Sequence, residues 1–565
     1  MIKRSPRMET LIDTAAGRRE PDTVFKNAGV VNVFTQEIVR ADVAVTRDTI
    51  AGVGSYNGRH EIDCSNLFLC PGFIDAHCHI ESSMAVPAEL SRAVLPSGTT
   101  TLIADPHEIV NVCGAQGFLF MLSEAERAVC DILYMAPSCV PATEFETSGA
   151  FFTAEDMRPF LRHPRVLGLA EVMSFPGVLC KHKTVLDKIR LFRYRSIDGH
   201  APGVSGNALQ AYAAAGISSD HEATAFAEAA EKARAGLAVL VREGSAAHDL
   251  QIILEGVIRE GLSTRRFLFC TDDKHLDDIR RDGHIIHNVR MAIRLGVPPV
   301  EAVSMATYHT AEHYGLRDRG AIAVGRRADL VLLSDLHLMR VEAVYKSGIA
   351  AAELLSQPSV APSIPDAILH SIHLKRITPD DLQLKVSGKT DVMEMIPSQL
   401  LTNHLREEVP AENGFFRPNA EYSKLCVLER HGKNGNIAVA PLKGYRIQGG
   451  AVAASVAHDS HNVIAAGDND ADIAAAVNHI REIGGGYVIV QNGKVTGSLP
   501  LPVAGLMSAE PYETVERGTI AILEQAEQLR IAKGVDPFIS LSFMALPVIP
   551  TLRLTDKGLI NLFNS

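Results

Sequence analysis

Two histidines one residue apart, His77 and His79, close the run 71–79, which reads Pro-Gly-Phe-Ile-Asp-Ala-His-Cys-His. In an extended strand residues i and i+2 point to the same side, so both imidazoles can address one metal ion. A His-x-His pair alone is more often a surface or core pair than a ligand set, and its surroundings have to decide.

Eight apolar, strand-like runs follow one another at 67–79, 100–105, 132–138, 166–173, 197–201, 217–222, 237–244 and 267–273, most of them followed by a helix-length segment. The segment 225–235 is rich in Ala, Glu and Lys, and 246–260 carries Leu250, Ile253, Leu254 and Ile258 at helical spacing. This order predicts a (β/α)8 TIM-like barrel, in which the chemistry sits at the C-terminal ends of the strands. His77 and His79 end the first run, Glu171 the fourth, His200 the fifth, His221 the sixth and Asp272 the eighth. Core histidines would show no such registry, and a metal site requires it.

Imidazole and carboxylate together suit Zn, Mn or Fe(II). Four histidines and two carboxylates exceed the needs of one tetrahedral ion, so two metals sharing Glu171 fit better. One would take His77, His79, Glu171 and Asp272, and the other Glu171, His200 and His221. Hydroxide held between two cations is available at neutral pH, because the pKa of water falls from about 16 towards 7. Asp272 can accept its proton and return it to a leaving group, which is hydrolysis of a polarised carbon centre. Asp272 and Glu171 are thus the catalytic candidates.

The run 71–79, the strand-end Glu171, His200, His221 and Asp272, and the later stretches 322–325 (Ile-Ala-Val-Gly) and 328–331 (Ala-Asp-Leu-Val) together resemble the amidohydrolase superfamily. Within it, 79–83 (His-Ile-Glu-Ser-Ser), 104–109 (Ala-Asp-Pro-His-Glu-Ile), 242–246 (Arg-Glu-Gly-Ser-Ala), 270–273 (Cys-Thr-Asp-Asp) and 457–462 (Ala-His-Asp-Ser-His-Asn) are similar to bacterial adenine deaminases. The resemblance covers nearly the whole chain apart from the N-terminal tail. It implies hydrolysis of adenine to hypoxanthine and ammonia, in purine salvage or catabolism, at two divalent metal ions, usually Mn(II) or Fe(II), with Zn as the alternative. Many hydantoinase-like members place a carboxylated lysine where Glu171 stands, and a glutamate bridge needs no carbon dioxide. Adenine follows from the resemblance and not from spacing. The chemistry is coherent, since C6 of adenine is electrophilic and carries an amine that leaves as ammonia once Asp272 delivers a proton.

Around these ligands lie candidates for substrate binding, each with a plainer alternative. Asp105, His107 and Glu108 follow the second strand on the active-site rim, where Pro106 could merely stop the strand. Glu81 and Ser83 could cap a turn or read the purine edge. Arg242 and Glu243 end the seventh strand, where an internal ion pair is the alternative. Asp273 follows Asp272. His458 and Asp459, with His461, could cap a turn or reach over the barrel mouth as a lid. His309 and His313 are four apart on a helix and are read as structural; His284 and His287 are read as facing solvent or a packing contact.

Hairpin-like pieces at 29–33, 42–45 and 49–53 precede the barrel, and a matching fragment at 321–333 follows it, which implies a small sheet split by an inserted unit. The expected organisation is an N-terminal tail (1–22), a discontinuous small β domain, a β-sandwich (23–66 plus 315–356), the barrel (67–314) and a C-terminal α+β domain (357–565). In the last, 470–483 reads as a helix stopped by Gly484, and Asn492-Gly493 as a hairpin turn.

Length, at 565 residues, fits several domains, and 46% hydrophobic with 21% charged residues describes a folded soluble protein. A net charge of −11, with no Lys/Arg block, argues against nucleic-acid or anionic-membrane partners. The nine cysteines include no CxxC pair, which excludes a zinc ribbon and the signature of the small zinc deaminases. No signal peptide or membrane span is expected, and the expected setting is a cytoplasmic homo-oligomer, a dimer, acting on a small molecule. Two rivals remain: another amidohydrolase acting on a cyclic amide or a different aminated base, and a catalytically inactive barrel serving as a binding or scaffold protein. The intact ligand series argues against the second.

Overall fold

The computed structural model describes residues 6–397, 399, 401–549 and 551–561. The outermost parts of the expected tail (1–5) and C-terminal domain (562–565) lie outside them. Eight parallel strands form the barrel: β1 (Phe73–Cys78), β2 (Thr99–Ala104), β3 (Asp131–Ala136), β4 (Val166–Val172), β5 (Ser196–Gly199), β6 (Ser219–Asp220), β7 (Ala238–Arg242) and β8 (Phe267–Cys270). Each pairs in parallel with the next. Just beyond β8, Asp272 donates its N–H to His77 O at 3.0 Å and accepts from His79 N–H at 3.1 Å, so the ring is closed at its C-terminal end. On the outer helix Leu250–Arg259, Leu250, Ile253, Leu254 and Val257 make the buried stripe, and Ile258, expected on it, is exposed. The positions i, i+3, i+4 and i+7 hold one face, and i+8 has rotated off it.

Asp75 pins this closure. Its Oδ1 accepts the N–H groups of His77 (3.2 Å) and Thr271 (3.1 Å), and its Oδ2 accepts the Thr271 hydroxyl at 2.5 Å. His284 Nε2 lies 3.3 Å from Oδ2, while its Nδ1 is 3.1 Å from the Thr99 hydroxyl. His284 is therefore not a solvent or simple packing residue. It is fully buried and kept neutral by that burial, its pKa well below the usual histidine range.

The run 67–79 divides at Gly72. Phe68–Pro71 pairs antiparallel with Leu330–Asp335 in the small sheet, and only the second half joins the barrel. A Cβ at Gly72 would stand 2.3 Å from Thr100 Oγ1, so only glycine lets the chain cross here from one sheet to the other. The strands before and after the barrel pair into one hydrogen-bonded eight-stranded sheet, which encloses its own apolar core of Phe25, Val43, Ile50, Leu69 and Leu330. It is tied to the barrel by Lys346, whose Nζ lies 2.6 Å from Asp131 on β3 and 2.7 Å from Asp329, with Arg319 2.9 Å from the same Asp131. The expected tail contains a helix, Met8–Ala15, held to the small domain by Tyr56 Oη–H donating to Ala15 O at 2.9 Å.

Past Ser356 the chain lacks regular structure up to Asp366, then builds a second mixed eight-stranded sheet. Its helix Asp470–Ile483 starts on an Asn469 cap and stops at Gly484 in the left-handed region (φ 76°). Asn492 and Gly493, both with positive φ, turn the hairpin Gly486–Gln491 to Lys494–Pro500. This domain sits on the barrel mouth, where Ser508 N–H donates to Met84 O at 2.7 Å.

Because Asp75→Ala strands two backbone donors and a hydroxyl in a dry interior at about 1–3 kcal/mol each, the barrel is expected to lose at least about 3 kcal/mol. The urea midpoint of the variant, followed by circular dichroism, checks this; an unchanged midpoint contradicts the pinning role.

Candidate active site at the barrel mouth

Alternation sorts the strand residues into two sets. Ile74, Ala76, Ile103, Met135, Ala170 and Leu268 meet in the barrel interior, while Leu102, Tyr134, Leu169 and Val241 belong to the outer core shared with the helices. Strict period two would send His77 and Glu171 outward with the second set. Both strands carry one extra residue. Asp75 pairs with Leu102 and Cys78 with Ala104, three residues of β1 against two of β2; Leu169 pairs with Ile197 and Val172 with Gly199, three of β4 against two of β5. A one-residue bulge inverts the alternation beyond it, and the histidines and Glu171 emerge in the mouth.

There the side chains converge. His77 Nε2 and His79 Nε2 lie 3.2 Å apart and are 3.1 and 3.0 Å from Glu171 Oε1; they are 3.5 and 3.0 Å from Asp272 Oδ1. The other Glu171 oxygen, Oε2, is 3.0 Å from His200 Nδ1 and 3.7 Å from His221 Nε2. One carboxylate thus faces two pairs of imidazoles. Five of the six are buried, and His200 is half-buried.

Such a cluster calls for cations. His79 Nδ1–H donates to Asp105 O at 3.0 Å, so Nε2 faces two carboxylates, which outweigh burial, favour a proton there and raise the pKa well above the usual histidine range; a cation in place of that proton would take the lone pair. Glu171 Oε1 itself has no hydrogen-bond partner. Burial works against charge on His77, yet the Asp272 and Glu171 carboxylates overcome it and raise its pKa to about 10. Burial would likewise raise Glu171 and Asp272, but His221 and His200 around the first, and His77, His79 and Arg242 around the second, hold both well below the usual carboxylate range. A lone pair, an orphan carboxylate oxygen and four imidazoles within contact distance are the donor set of a divalent metal centre, so the residues fit the ions expected here.

Other expected residues fall into three groups. Asp105, His107, Glu108, Glu81 and Asp459 line the same mouth: His107 Nδ1–H donates to Asp105 Oδ2 at 3.0 Å and lies 3.8 Å from Glu171 Oε1, and its Nε2 is 3.8 Å from Asp459 Oδ1. Glu81 Oε1 accepts Ile109 N–H at 3.1 Å, and burial lifts its pKa to about 7. Arg242 is the internal ion pair of the alternative reading, since its guanidinium contacts Glu222, lies 2.9 Å from Asp249 and 3.2 Å from Asp272 Oδ2. Asp273 accepts from Ser82, Glu243 pairs with His248 at 2.8 Å, and His458 meets Glu108. Ser83 is not brought to the site; its hydroxyl donates to Ile80 O at 2.7 Å and accepts from Ala85 N–H, closing a turn.

Sequence reasoning passed over Glu222, 3.6 Å from His221 and 3.8 Å from His200. Its position directly after a strand-end histidine was the available signal. His461, named with His458 and Asp459 as a possible lid, pairs with Glu108.

Comparison with known proteins gives a consistent picture. A sequence model of the amidohydrolase family matches residues 68–351, and one of the adenine deaminase C-terminal domain matches residues 399–565. An adenine deaminase of Desulfitobacterium hafniense is 45% identical over 553 residues, 98% of this chain and 97% of the relative. That of Clostridium acetobutylicum is 44% identical over 567 residues, 99% of both chains, and that of Geobacillus kaustophilus 44% over 560 residues, 97% and 96%.

Arg242→Leu leaves Glu222, Asp249 and Asp272 without their shared cation, and breaking such a buried network costs about 3–5 kcal/mol. Arg242→Lys is expected to recover less than half of that, because an ammonium cannot fork to three carboxylates. Unfolding of both variants in urea checks the order wild type, Lys, Leu.

Proposed function

The chain belongs to the adenine deaminases of the amidohydrolase family, and on that premise we propose that the barrel mouth is the site at which it hydrolyses adenine, using two divalent cations. Its reaction is the conversion of adenine to hypoxanthine and ammonia, and it is a metal-dependent hydrolase. Of the rivals, action on a cyclic amide and a dead scaffold are both less consistent with near-full-length similarity to adenine deaminases.

The observation that carries the two-ion reading is the two-sided Glu171 carboxylate, with His77 and His79 at Oε1 and His200 and His221 at Oε2. His77, His79, Glu171 and Asp272 would hold one ion and Glu171, His200 and His221 the other. The donors are nitrogen and oxygen only: Cys78, between two ligands, turns its thiol to Ile103 O at 3.8 Å. That set suits Zn, Mn and Fe(II) alike, and the choice of Mn(II) or Fe(II), with Zn as the alternative, rests on the family resemblance. When bound, such ions lower the pKa of water from about 16 towards 7 and so supply a nucleophile at neutral pH.

The chain's own groups handle orientation and protons. Of the two protons of the attacking water, one ends on ring N1 and the other on the departing amine. Asp272 is the proton carrier: Arg242 at 3.2 Å fixes Oδ2 and favours the ionised form, leaving Oδ1 beside His79 at 3.0 Å. Burial of the cluster under the C-terminal domain excludes bulk water and strengthens these interactions. Glu81, Asp105 and His107 supply the polar wall against which the base is held.

We place the protein in the cytoplasm as a homo-oligomer, the expected dimer. Nine free cysteines support a reducing compartment, and exposed Phe151 and Tyr194 along one surface cavity support an association surface. Among the described residues no helix is long and apolar enough to cross a membrane.

Purified protein loaded with Mn(II) or Fe(II) is expected to release ammonia from adenine with formation of hypoxanthine; no turnover sinks the reading. Asp272→Asn should remove most turnover, at least about a hundredfold by the usual scale of general acid–base effects, while retaining more metal than His77→Ala. Equal metal loss in both contradicts the proton-carrying role of Asp272.

A further inference from the structure

Residues 457–462 leave the C-terminal sheet between the strands Ala451–Ala454 and Val463–Gly467 and reach into the barrel mouth. Glu108, at the start of α1 (His107–Ala125), meets His458 Nδ1 with one oxygen and His461 Nε2 with the other. Two histidines and a glutamate have the composition of a metal site. The tautomer argues otherwise: Ala457 N–H donates to His461 Nδ1 at 3.1 Å, so the ring carries its proton on Nε2, donates it to Glu108 and offers no lone pair there. The trio is a clamp. It is backed by Phe543, whose ring stacks on His458 with centroids 5.0 Å apart.

Between the clamped histidines sits Asp459, 2% exposed. Its Oδ1 lies 3.8 Å from His107 Nε2, and its Oδ2 has no hydrogen-bond partner among the described residues. A buried, unpaired carboxylate oxygen is costly unless a ligand completes it. Asp459 stands one imidazole ring away from Glu171, because the opposite nitrogen of His107 is 3.8 Å from Glu171 Oε1.

We propose that Asp459, carried by the C-terminal domain and held by the Glu108 clamp, is a wall of the purine pocket and accepts the N–H on the five-membered ring of free adenine. This rests on the reading of the mouth as the adenine site. In that reading C6 and its amine face Asp272 and Glu171, so the opposite end of the base faces away from them, across His107. An ionised carboxylate only accepts. With the amine at the reacting end, N1 and N3 are acceptors, and the one strong donor left on adenine is the imidazole-edge N–H. A substituent at N9 removes that donor, so Asp459 sorts the free base from its N9-substituted forms, nucleosides among them.

The test uses full-length, metal-loaded enzyme with adenine and 9-methyladenine as substrates, comparing wild type with Asp459→Ala and with Asp459→Leu, which fills the space but offers no acceptor. Wild-type turnover of adenine is the check on the function itself, and its absence counts against that reading alone. With turnover present, both variants are expected to raise KM for adenine at least thirtyfold with metal content unchanged. The wild-type preference for adenine over 9-methyladenine in kcat/KM is expected to shrink at least tenfold. A KM within twofold of wild type overturns the proposal, and so does an undiminished preference, even beside a raised KM, since that is the mark of a merely structural residue. If the alanine variant loses its fold or metal, the leucine variant decides by the same two criteria.

Discussion

The barrel mouth gathers buried carboxylates that cannot stay ionised without positive charge beside them. Glu171, Asp272 and Asp105 are buried there beside a half-buried Glu222, and isolated buried carboxylates would pay a desolvation penalty of several kcal/mol apiece. Four imidazoles, one guanidinium and the expected divalent ions are the compensation, and each has to be delivered from a different part of the chain. A parallel barrel does this at small cost in backbone, since every strand ends at the same rim.

Delivery is not automatic. The period of a strand would have pointed His77 and Glu171 at the surrounding helices, and a one-residue bulge on each of β1 and β4 turns them inward. Closure between β1 and β8 is held by Asp75, which grips the backbones of both and so fixes the spacing of His77 and Asp272. A buried neutral histidine, His284, completes that grip from the residue that precedes the helix Ile285–Leu295. The same logic of a polar group fixed by a partner recurs at Arg242, which orients Asp272 while its other contacts steady Glu222 and Asp249.

The C-terminal domain belongs to the same arrangement. Its loop 457–462 is tied to the barrel through Glu108, and its burial of the mouth lowers the local dielectric in which charges act. A reactive centre that must exclude bulk water while admitting a flat, polar base gains from a wall supplied by a second domain, since the two surfaces can be shaped independently.

Much of this was legible in the residues alone. Eight apolar runs with helix-length intervals, and ligand types at five of their ends, specify a barrel and the rim at which those side chains gather, because hydrophobic period and strand-end position are local properties of the chain. The helix stopped by Gly484 and the Asn492-Gly493 turn are equally local, since each depends on the conformational freedom of one or two residues. What the tertiary structure decided was how side chains are divided among partners. Ser83 closes a turn, Arg242 serves three carboxylates, Glu222 stands beside His200 and His221, and His461 meets Glu108 from 353 positions away. Bulges, tautomers and unpaired oxygens are consequences of packing distant segments together, and no local pattern encodes them. Adenine itself was read from family resemblance; the residues that would recognise it come into view only where the barrel and the C-terminal domain meet.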